Sequence, residues 1–360
     1  MSRLGKVIVA MSGGVDSSTA ACILKEEGYE VIGMTMHIWP SEMTGGGRCC
    51  APRDVADARQ VAAMMGFPFY LLDFRDDFKK YVINDFIEEY RSGRTPNPCI
   101  RCNEFLKFGL LLKKADELKA EFVATGHYAR LQYDEARERF ILLRGKEEKR
   151  EQSYFLYSLR QEQFKRIKFP VGEYTKSEVR DLARDFGLRV SEKKGSQDLC
   201  FIDEKGYVSF LRNYIPQAFI PGPIVNLEGK IIGRHKGIGY YTIGQRKGLG
   251  LPGPRPHYVV AIEPEENKVI VGYEEDVYQK GLIADRINVI AYETLPSPIE
   301  VTARIRYQSK PSRARVELID RDKISVDFAE GQWAITPGQA VVLYQGDLVV
   351  GGGIIRGGKK

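Results

Sequence analysis

Ser12-Gly13-Gly14-Val15-Asp16-Ser17-Ser18 follows a short apolar run at 7–10 and opens a segment of helical character from about 17 to 27. Glycines let the backbone approach a phosphate closely, and a helix N-terminus supplies unpaired N–H donors with a partial positive charge. The serines add hydroxyl donors, while Asp16 is placed either to hold a magnesium ion or to cap the helix. The plain alternative is an ordinary glycine-rich turn capped by Ser and Asp. The pattern G-x-x-x-x-G-K-[ST] is absent from the chain, so this is not a Walker A loop. Gly248-Leu-Gly-Leu-Pro-Gly253 matches G-x-G-x-x-G literally, but prolines interrupt it and no strand–helix pair flanks it. It reads as a loop.

Outward from that stretch, strand-like and helix-like segments alternate. Residues 30–36 and 69–73 read as strands, and 54–65 as a helix with Val55, Ala58, Val61 and Ala62 on one face. Residues 77–90 align Phe78, Val82, Phe86 and Tyr90, and 122–125 form a strand ending at Gly126-His127. This rhythm predicts an α/β domain with a parallel sheet and helices on both faces. After about 205 the chain becomes rich in Gly and Pro, with short β-like runs at 224–226 and 240–243. From 282 onward, alternating segments at 301–307, 313–318 and 340–344 are joined by turn-formers. The expected organisation is a catalytic α/β domain at 1–205, a small β-rich domain at 206–280, and a β-barrel or sandwich at 281–360, taken as a barrel.

Bulk properties narrow the class. The 360 residues suffice for two or three domains, and 43% hydrophobic with 28% charged residues is an ordinary globular composition. No apolar run approaches the roughly 20 residues needed to cross a bilayer, and the N-terminus shows no signal-peptide pattern. A cytoplasmic location without membrane association is the expectation. Six cysteines are too sparse for a disulfide scaffold, and a reducing compartment would keep them as thiols.

Cys99 and Cys102 lie in a Pro-rich loop, Arg94-Thr-Pro-Asn-Pro-Cys-Ile-Arg-Cys-Asn, leading toward a helix near Phe105. Arg101, Lys107 and the helix start are placed to lower a thiol pKa. Cys200 sits in Gly195-Ser-Gln-Asp-Leu-Cys-Phe-Ile. Three readings stand open: Cys102 and Cys200 as a persulfide-carrying and resolving pair; Cys99, Cys102 and Cys200 as ligands of an iron–sulfur cluster or zinc ion; or inert thiols. Cys22 reads as packing within the first helix; the adjacent, loop-borne Cys49-Cys50 reads as structural, with metal binding as the alternative.

S-G-G-x-D-S in a strand–loop–helix context resembles the PP-loop ATP pyrophosphatases. Together with Cys50…Asp54…Asp57-Ala-Arg, Gly93-Arg-Thr-Pro-Asn-Pro, Cys102-Asn, Ala124-Thr-Gly-His-Tyr, Gln152-Ser-Tyr-Phe-Leu, Ser196-Gln-Asp-Leu-Cys-Phe-Ile and Tyr241-Thr-Ile-Gly-Gln-Arg-Lys-Gly-Leu-Gly, it resembles the tRNA-specific 2-thiouridylase family along essentially the whole chain. The resemblance implies Mg²⁺-ATP-dependent 2-thiolation of the wobble uridine in tRNAs for Lys, Glu and Gln, fed by a persulfide donor protein. It implies that Ala10, Met11, Ser12, Gly13, Gly14, Val15, Asp16, Ser17, Met36 and Gly126 contact ATP. It implies that Asn97, Pro98 and Cys99 face the target base, and that Cys102 is the nucleophile and Cys200 the persulfide carrier, the two ending as a disulfide. Contacts to tRNA are implied for His127, Arg150, Glu151, Gln152, Arg306, Tyr307 and Gln339. Some relatives lack a cysteine at the position of Cys99, and its presence here completes Cys-x-x-Cys, which keeps the cluster reading open.

Charge placement agrees with an RNA partner. The net charge is +6, and residues 229–257 contain no acid but carry Lys230, Arg234, Lys236, Arg246, Lys247 and Arg255. Tyr240 and Tyr241 are interleaved, as stacking on bases would need. Arg304, Arg306, Lys310, Arg313 and Arg315 form a second acid-free series; in an extended chain Arg304 and Arg306 share one face, as do Arg313 and Arg315. A solvated basic surface is the plain alternative for each.

Overall fold

The computed structural model describes residues 4–39, 52–193, 199–202 and 206–359. Cys49, Cys50 and the Ser196-Gln197-Asp198 part of the Cys200 motif lie outside the described residues. The chain forms two compact units, one of 1–82, 98–203 and 347–350, the other of 83–97, 204–346 and 351–360.

In the first unit, β1 (Lys6–Ala10), β2 (Glu30–His37), β3 (Phe69–Asp73) and β4 (Phe122–Thr125) precede a hairpin of β5 (Ala129–Asp134) and β6 (Arg139–Arg144), and β7 (Ile167–Lys168) follows it. The sheet order is β3-β2-β1-β4-β7, with every neighbouring pair parallel. Val7, Ile8 and Val9 are wholly buried, the unbroken apolar run that a strand covered on both faces requires. The chain steps from β1 out to β3 and then returns to the other side of β1 as β4. That reversal opens a crevice at the carboxyl ends of β1 and β4, where α/β sheets hold their ligands.

Helix α1 (Val15–Glu26) follows β1 directly, and α2 (Pro52–Met65) buries Ala58, Val61 and Ala62 of the predicted stripe, with Val55 half-buried. The helix expected over 77–90 is a composite: Arg75–Phe78, a wide π turn at Lys79–Ile83, then Asn84–Arg91. Phe78, Val82 and Phe86 are nonetheless buried. Around the cysteines the helical backbone starts earlier than expected, at Pro98–Arg101, and continues as a π-helix over Cys102–Leu110. A proline in the first turn suits this, since its missing N–H has no intrahelical partner to lose.

In the second unit, β8 (Gly222–Val225), β9 (Ile231–His235), β10 (Tyr258–Glu263) and β11 (Lys268–Gly272) form a four-stranded sheet ordered β10-β11-β8-β9. No strand forms at 240–243; a 3-10 turn occupies Ile238–Tyr240 instead. Gly239 there lies against the Phe219 ring, so closely that an added Cβ would fall 2.7 Å from it. The turn is set by that tertiary contact and not by the β-favouring tyrosines.

The last six strands are β12 (Tyr278–Val289), β13 (Ile299–Arg304), β14 (Ser312–Asp320), β15 (Lys323–Trp333), β16 (Ala340–Gln345) and β17 (Leu348–Lys359). They run β12-β15-β14-β13-β16-β17, and β17 pairs again with β12, closing a barrel as expected. Closure removes the edges that an open sheet would have to protect. Along β14, Ala314 and Val316 point inward while Arg313, Arg315 and Glu317 stay exposed, so Arg313 and Arg315 do share an outer face. Arg306 falls in the turn beyond β13, which ends at Arg304, so those two arginines do not form a row.

Leu282 is wholly buried in β12, whereas Ile319 on β14 is 53% exposed. Leu282→Ala is expected to cost about 2–5 kcal/mol in urea-induced unfolding, through the loss of buried apolar surface and a residual cavity. Ile319→Ala is expected to stay within about 0.5 kcal/mol, the range of ordinary surface changes.

Candidate active site

The loop after β1 is shaped by close backbone packing. The Met11 side chain is buried, its N–H donates to Met34 O at 2.7 Å, and its carbonyl accepts from Thr35 Oγ1 at 2.7 Å. Gly13 adopts φ +70°, and a Cβ there would lie 2.2 Å from the Asp54 carbonyl oxygen. On the other side, a Cβ at Gly126 would lie 2.6 Å from both Asp16 C and Ser17 N. Both positions demand glycine. Gly14 is the N-cap of α1 and no side chain caps it, so Asp16 does not take the capping role that the sequence left open. Instead the Ser17 hydroxyl accepts from Ser12 N at 3.1 Å and donates to Gly14 O at 3.3 Å, folding the loop over the first turn.

Asp16 is engaged elsewhere. Its Oδ1 accepts from Tyr128 Oη at 2.6 Å and from Lys176 Nζ at 2.5 Å. Lys176 is the first residue of the helix Lys176–Asp185, whose N-cap Thr175 accepts from Glu178 N and whose Glu178 carboxylate accepts from Thr175 N. Burial lowers the Lys176 pKa, Asp16 opposes that, and the neighbouring Arg150 and Arg180 push it further down. Lys193 reaches the loop from the far end of the unit, donating to Gly13 O at 2.9 Å, Asp54 Oδ1 at 2.7 Å and Asp57 Oδ2 at 2.5 Å. Lys176 and Lys193 thus both reach the N-terminal end of α1, with Arg150 and Arg180 near Lys176, an arrangement whose chemistry suits an anion.

Sequence reasoning missed Lys176 and Lys193. Thr175-Lys-Ser-Glu178 is a legible capping box. The signal inside it is a lysine at the first helical position, where the helix dipole disfavours a cation. Nothing in the sequence marks Lys193, whose partners lie more than a hundred residues away.

The other expected residues divide between the units. Ala10, Ser12–Ser17, Met36, Gly126, His127, Arg150–Gln152, Pro98, Cys99, Cys102 and Cys200 belong to the first; Asn97, Arg306, Tyr307 and Gln339 to the second. Met36 is half-buried near the carboxyl end of β2. His127 is buried between the Phe108 and Phe169 rings, with Nδ1 2.6 Å from Thr125 Oγ1. Burial, then Lys107, holds its pKa well below the usual histidine value, so the imidazole is neutral. Glu151 is buried and accepts from Ser153 N at 2.5 Å, and Gln152 Oε1 accepts from Tyr128 N at 3.0 Å; Arg150 is half-buried.

In the second unit, Gln339 Nε2 donates to Thr95 O at 2.8 Å and Pro96 O at 3.1 Å, fixing the chain just before Asn97. The Arg306 guanidinium donates to the carbonyls of Trp333 and Ala334. Of the two tyrosines expected to stack on bases, Tyr241 is buried and donates to Gly248 O at 3.3 Å, and Tyr240 lies edge-on to Phe219 beneath Arg212. Apolar burial has claimed the ring of Tyr241. Lys230, Arg234, Lys236, Arg246, Lys247 and Arg255 are all exposed.

Cys22 is buried and its thiol is pushed up to about 12, chiefly by burial, as an inert packing residue would be. Cys99, Cys102 and Cys200 are partly exposed. Cys99 and Cys102, three apart on helical backbone, share a helix face. Among the described residues no three Cys, His, Asp or Glu side chains are gathered closely enough to hold a metal ion. The preassembled Cys99–Cys102–Cys200 ligand set of the iron–sulfur alternative is therefore not formed. No helix among the described residues is long and apolar enough to cross a membrane.

A glycine-tight anion loop at the switch point of a parallel sheet, followed by β-rich structure with a closed six-strand barrel, defines a nucleotide-binding α/β protein of the PP-loop type. Three family models match in series: tRNA methyl transferase HUP domain over 5–204, tRNA methyl transferase PRC-barrel domain over 208–273, and aminomethyltransferase beta-barrel domain over 279–355. The chain is 50% identical over 356 residues to tRNA-specific 2-thiouridylase MnmA 1 of Caldanaerobacter subterraneus subsp. tengcongensis, covering 98% of each. It is 48% identical to the MnmA of Carboxydothermus hydrogenoformans and 47% identical to that of Clostridioides difficile, covering 98% of this chain in both cases and 97% and 98% of those proteins. The chain belongs to the tRNA-specific 2-thiouridylase (MnmA) family of sulfurtransferases.

The neutral, buried His127 carries a pH signature. Its folded-state pKa lies below the unfolded value, so its contribution to stability is present above about pH 6.5 and is lost as pH falls below it. Between pH 7.5 and 5.5 the wild type is expected to lose stability more steeply than His127→Gln, by up to about 1.4 kcal/mol per pH unit. Urea titrations of both proteins across that range measure the difference.

Proposed function

We propose that this enzyme uses ATP to replace the 2-oxygen of the wobble uridine in tRNAs for Lys, Glu and Gln with sulfur. The observation that carries the reading is the glycine-tight loop at Gly13-Gly14, reached by Lys176 and Lys193 with Arg150 and Arg180 near Lys176, in a chain whose relatives over its whole length are 2-thiouridylases.

The 2-oxygen of uridine is a poor leaving group. Attack of that oxygen on the α-phosphorus of ATP expels pyrophosphate and leaves an O-adenylated base, from which AMP departs readily. The Ser12–Ser17 loop and the surrounding cations would hold the triphosphate and stabilise charge on the departing pyrophosphate. Magnesium would arrive with the phosphates; it commonly takes one or two carboxylates and completes its shell with water and phosphate oxygens. Asp16, the carboxylate of the loop, is the residue to hold it, with Oδ1 already shared between Tyr128 and Lys176.

Cys200 would carry the persulfide, loaded by a donor protein. Its terminal sulfur attacks C2, AMP leaves, and the Cys102 thiolate then attacks the Cys200 sulfur. That releases the thiolated base and leaves a Cys102–Cys200 disulfide for an external thiol to reduce. Splitting activation from sulfur delivery turns one hard step into easier ones. Asn97, Pro98 and Cys99 would face the base. The exposed cations of 229–257, with Arg313 and Arg315, would follow the tRNA backbone. In this reading 1–205 performs the chemistry, 206–280 and 281–360 hold the tRNA, and the reaction takes place in the cytoplasm.

Anaerobic incubation with unmodified tRNA, Mg-ATP and a persulfide source, followed by nucleoside mass spectrometry, is expected to yield 2-thiouridine. Cys102→Ser and Cys200→Ser should each abolish it while tRNA-dependent pyrophosphate release persists; thiolation that survives both changes would refute the cysteine assignment. Arg246→Ala with Arg313→Ala should weaken tRNA binding and flatten its salt dependence, by about 0.7–0.9 in log–log slope for each phosphate no longer neutralised.

A further inference from the structure

Lys193 does more than add positive charge near the phosphates: one ammonium joins three separate pieces of the site. Asp54 and Asp57 stand in the first turns of α2, Asp54 with its backbone against Gly13, and their side chains are only 15% and 24% exposed. Two partly buried carboxylates at the wall of a polyphosphate loop would repel the ligand. Lys193 lies between them and ion-pairs with both, at 2.7 and 2.5 Å. Its third hydrogen bond takes the Gly13 carbonyl oxygen. In a trans peptide the C=O and the following N–H point in opposite directions, so turning the Gly13 carbonyl toward Lys193 turns the Gly14 N–H away from it, as an anion-binding loop requires. Burial pulls the ammonium pKa down, but the two carboxylates outweigh it and the group stays charged.

We infer that Lys193 is a positioning residue for the nucleotide, offsetting part of the negative charge of Asp54 and Asp57 and orienting the Gly13–Gly14 peptide toward the phosphates. The inference rests on the reading of this loop as the ATP site. It also gives the Asp54…Asp57 pair a place beside the loop: the pair fixes the lysine that fixes the peptide. Arginine would preserve the charge; a neutral side chain would leave two uncompensated carboxylates.

The test is calorimetric titration with α,β-methylene-ATP and Mg²⁺, with thermal unfolding of each variant followed in parallel. Lys193→Met should weaken binding by about tenfold or more, the magnitude of losing charged hydrogen bonds. Lys193→Arg should bind nearly as the wild type does. The triple variant Lys193→Met, Asp54→Asn, Asp57→Asn, which removes the repulsion along with the lysine, should return to within about threefold of wild type, short by the one hydrogen bond to Gly13. If Lys193→Met does not fold, the triple variant decides, because it carries no unpaired carboxylates. Unchanged affinity in Lys193→Met, or a triple variant as weak as the single one, would overturn the inference. Absence of binding by the wild type would overturn the nucleotide reading itself and this inference with it, an outcome distinct from the other two.

Discussion

The first turn of α1 is pressed between two other pieces of backbone, and the rest of the active site depends on that contact. Gly126 at the end of β4 meets Asp16 and Ser17, and Gly13 meets Asp54 at the start of α2, each at distances that leave no room for a side chain. Packing this tight brings the carboxyl ends of β1 and β4 and the N-termini of α1 and α2 to one point. The loop backbone is thereby held in one shape by the fold itself, the preorganisation that the proposed nucleotide site calls for.

Charge around that point is organised in pairs, each tying the loop to a distant segment. Asp16 is held by Lys176 and Tyr128, and Asp54 and Asp57 by Lys193. Partly buried ion pairs contribute uncertain net stability, because desolvation offsets attraction. Their effect here is directional: they fix carboxylates that would otherwise repel an anion and leave Arg150 and Arg180 beside Lys176. In the second unit, Gln339 and the Pro337 carbonyl serve a comparable end by gripping Thr95 and Pro96, the stretch that leads to Asn97.

The cysteines illustrate how environment separates residues of one type. Cys22, inside α1, is deprived of water and its thiol is pushed out of the reactive range. Cys99 and Cys102 sit on helical backbone that begins at Pro98, and with Cys200 they retain partial exposure. The sequence anticipated the burial of Cys22, on an apolar helix face, while the helical backbone that carries Cys99 and Cys102 replaces the loop expected there.

By itself the sequence determined the local chemistry: β1, β3 and β4, the helices that follow β1 and precede β3, the glycine loop, the alternation of β14, and the family. Periodicity, glycine placement and composition act over a few residues and survive without tertiary context. Only the tertiary structure decided what lay beyond that range. It broke the 77–90 helix with a π turn, replaced the 240–243 strand with a turn against Phe219, buried Tyr241, and took Arg306 out of a row of cations. It also chose Lys176 and Lys193 as partners of the loop. Each of these outcomes is set by contacts between residues far apart in the chain. A side chain's partner there is fixed by packing and desolvation, which a linear pattern does not encode.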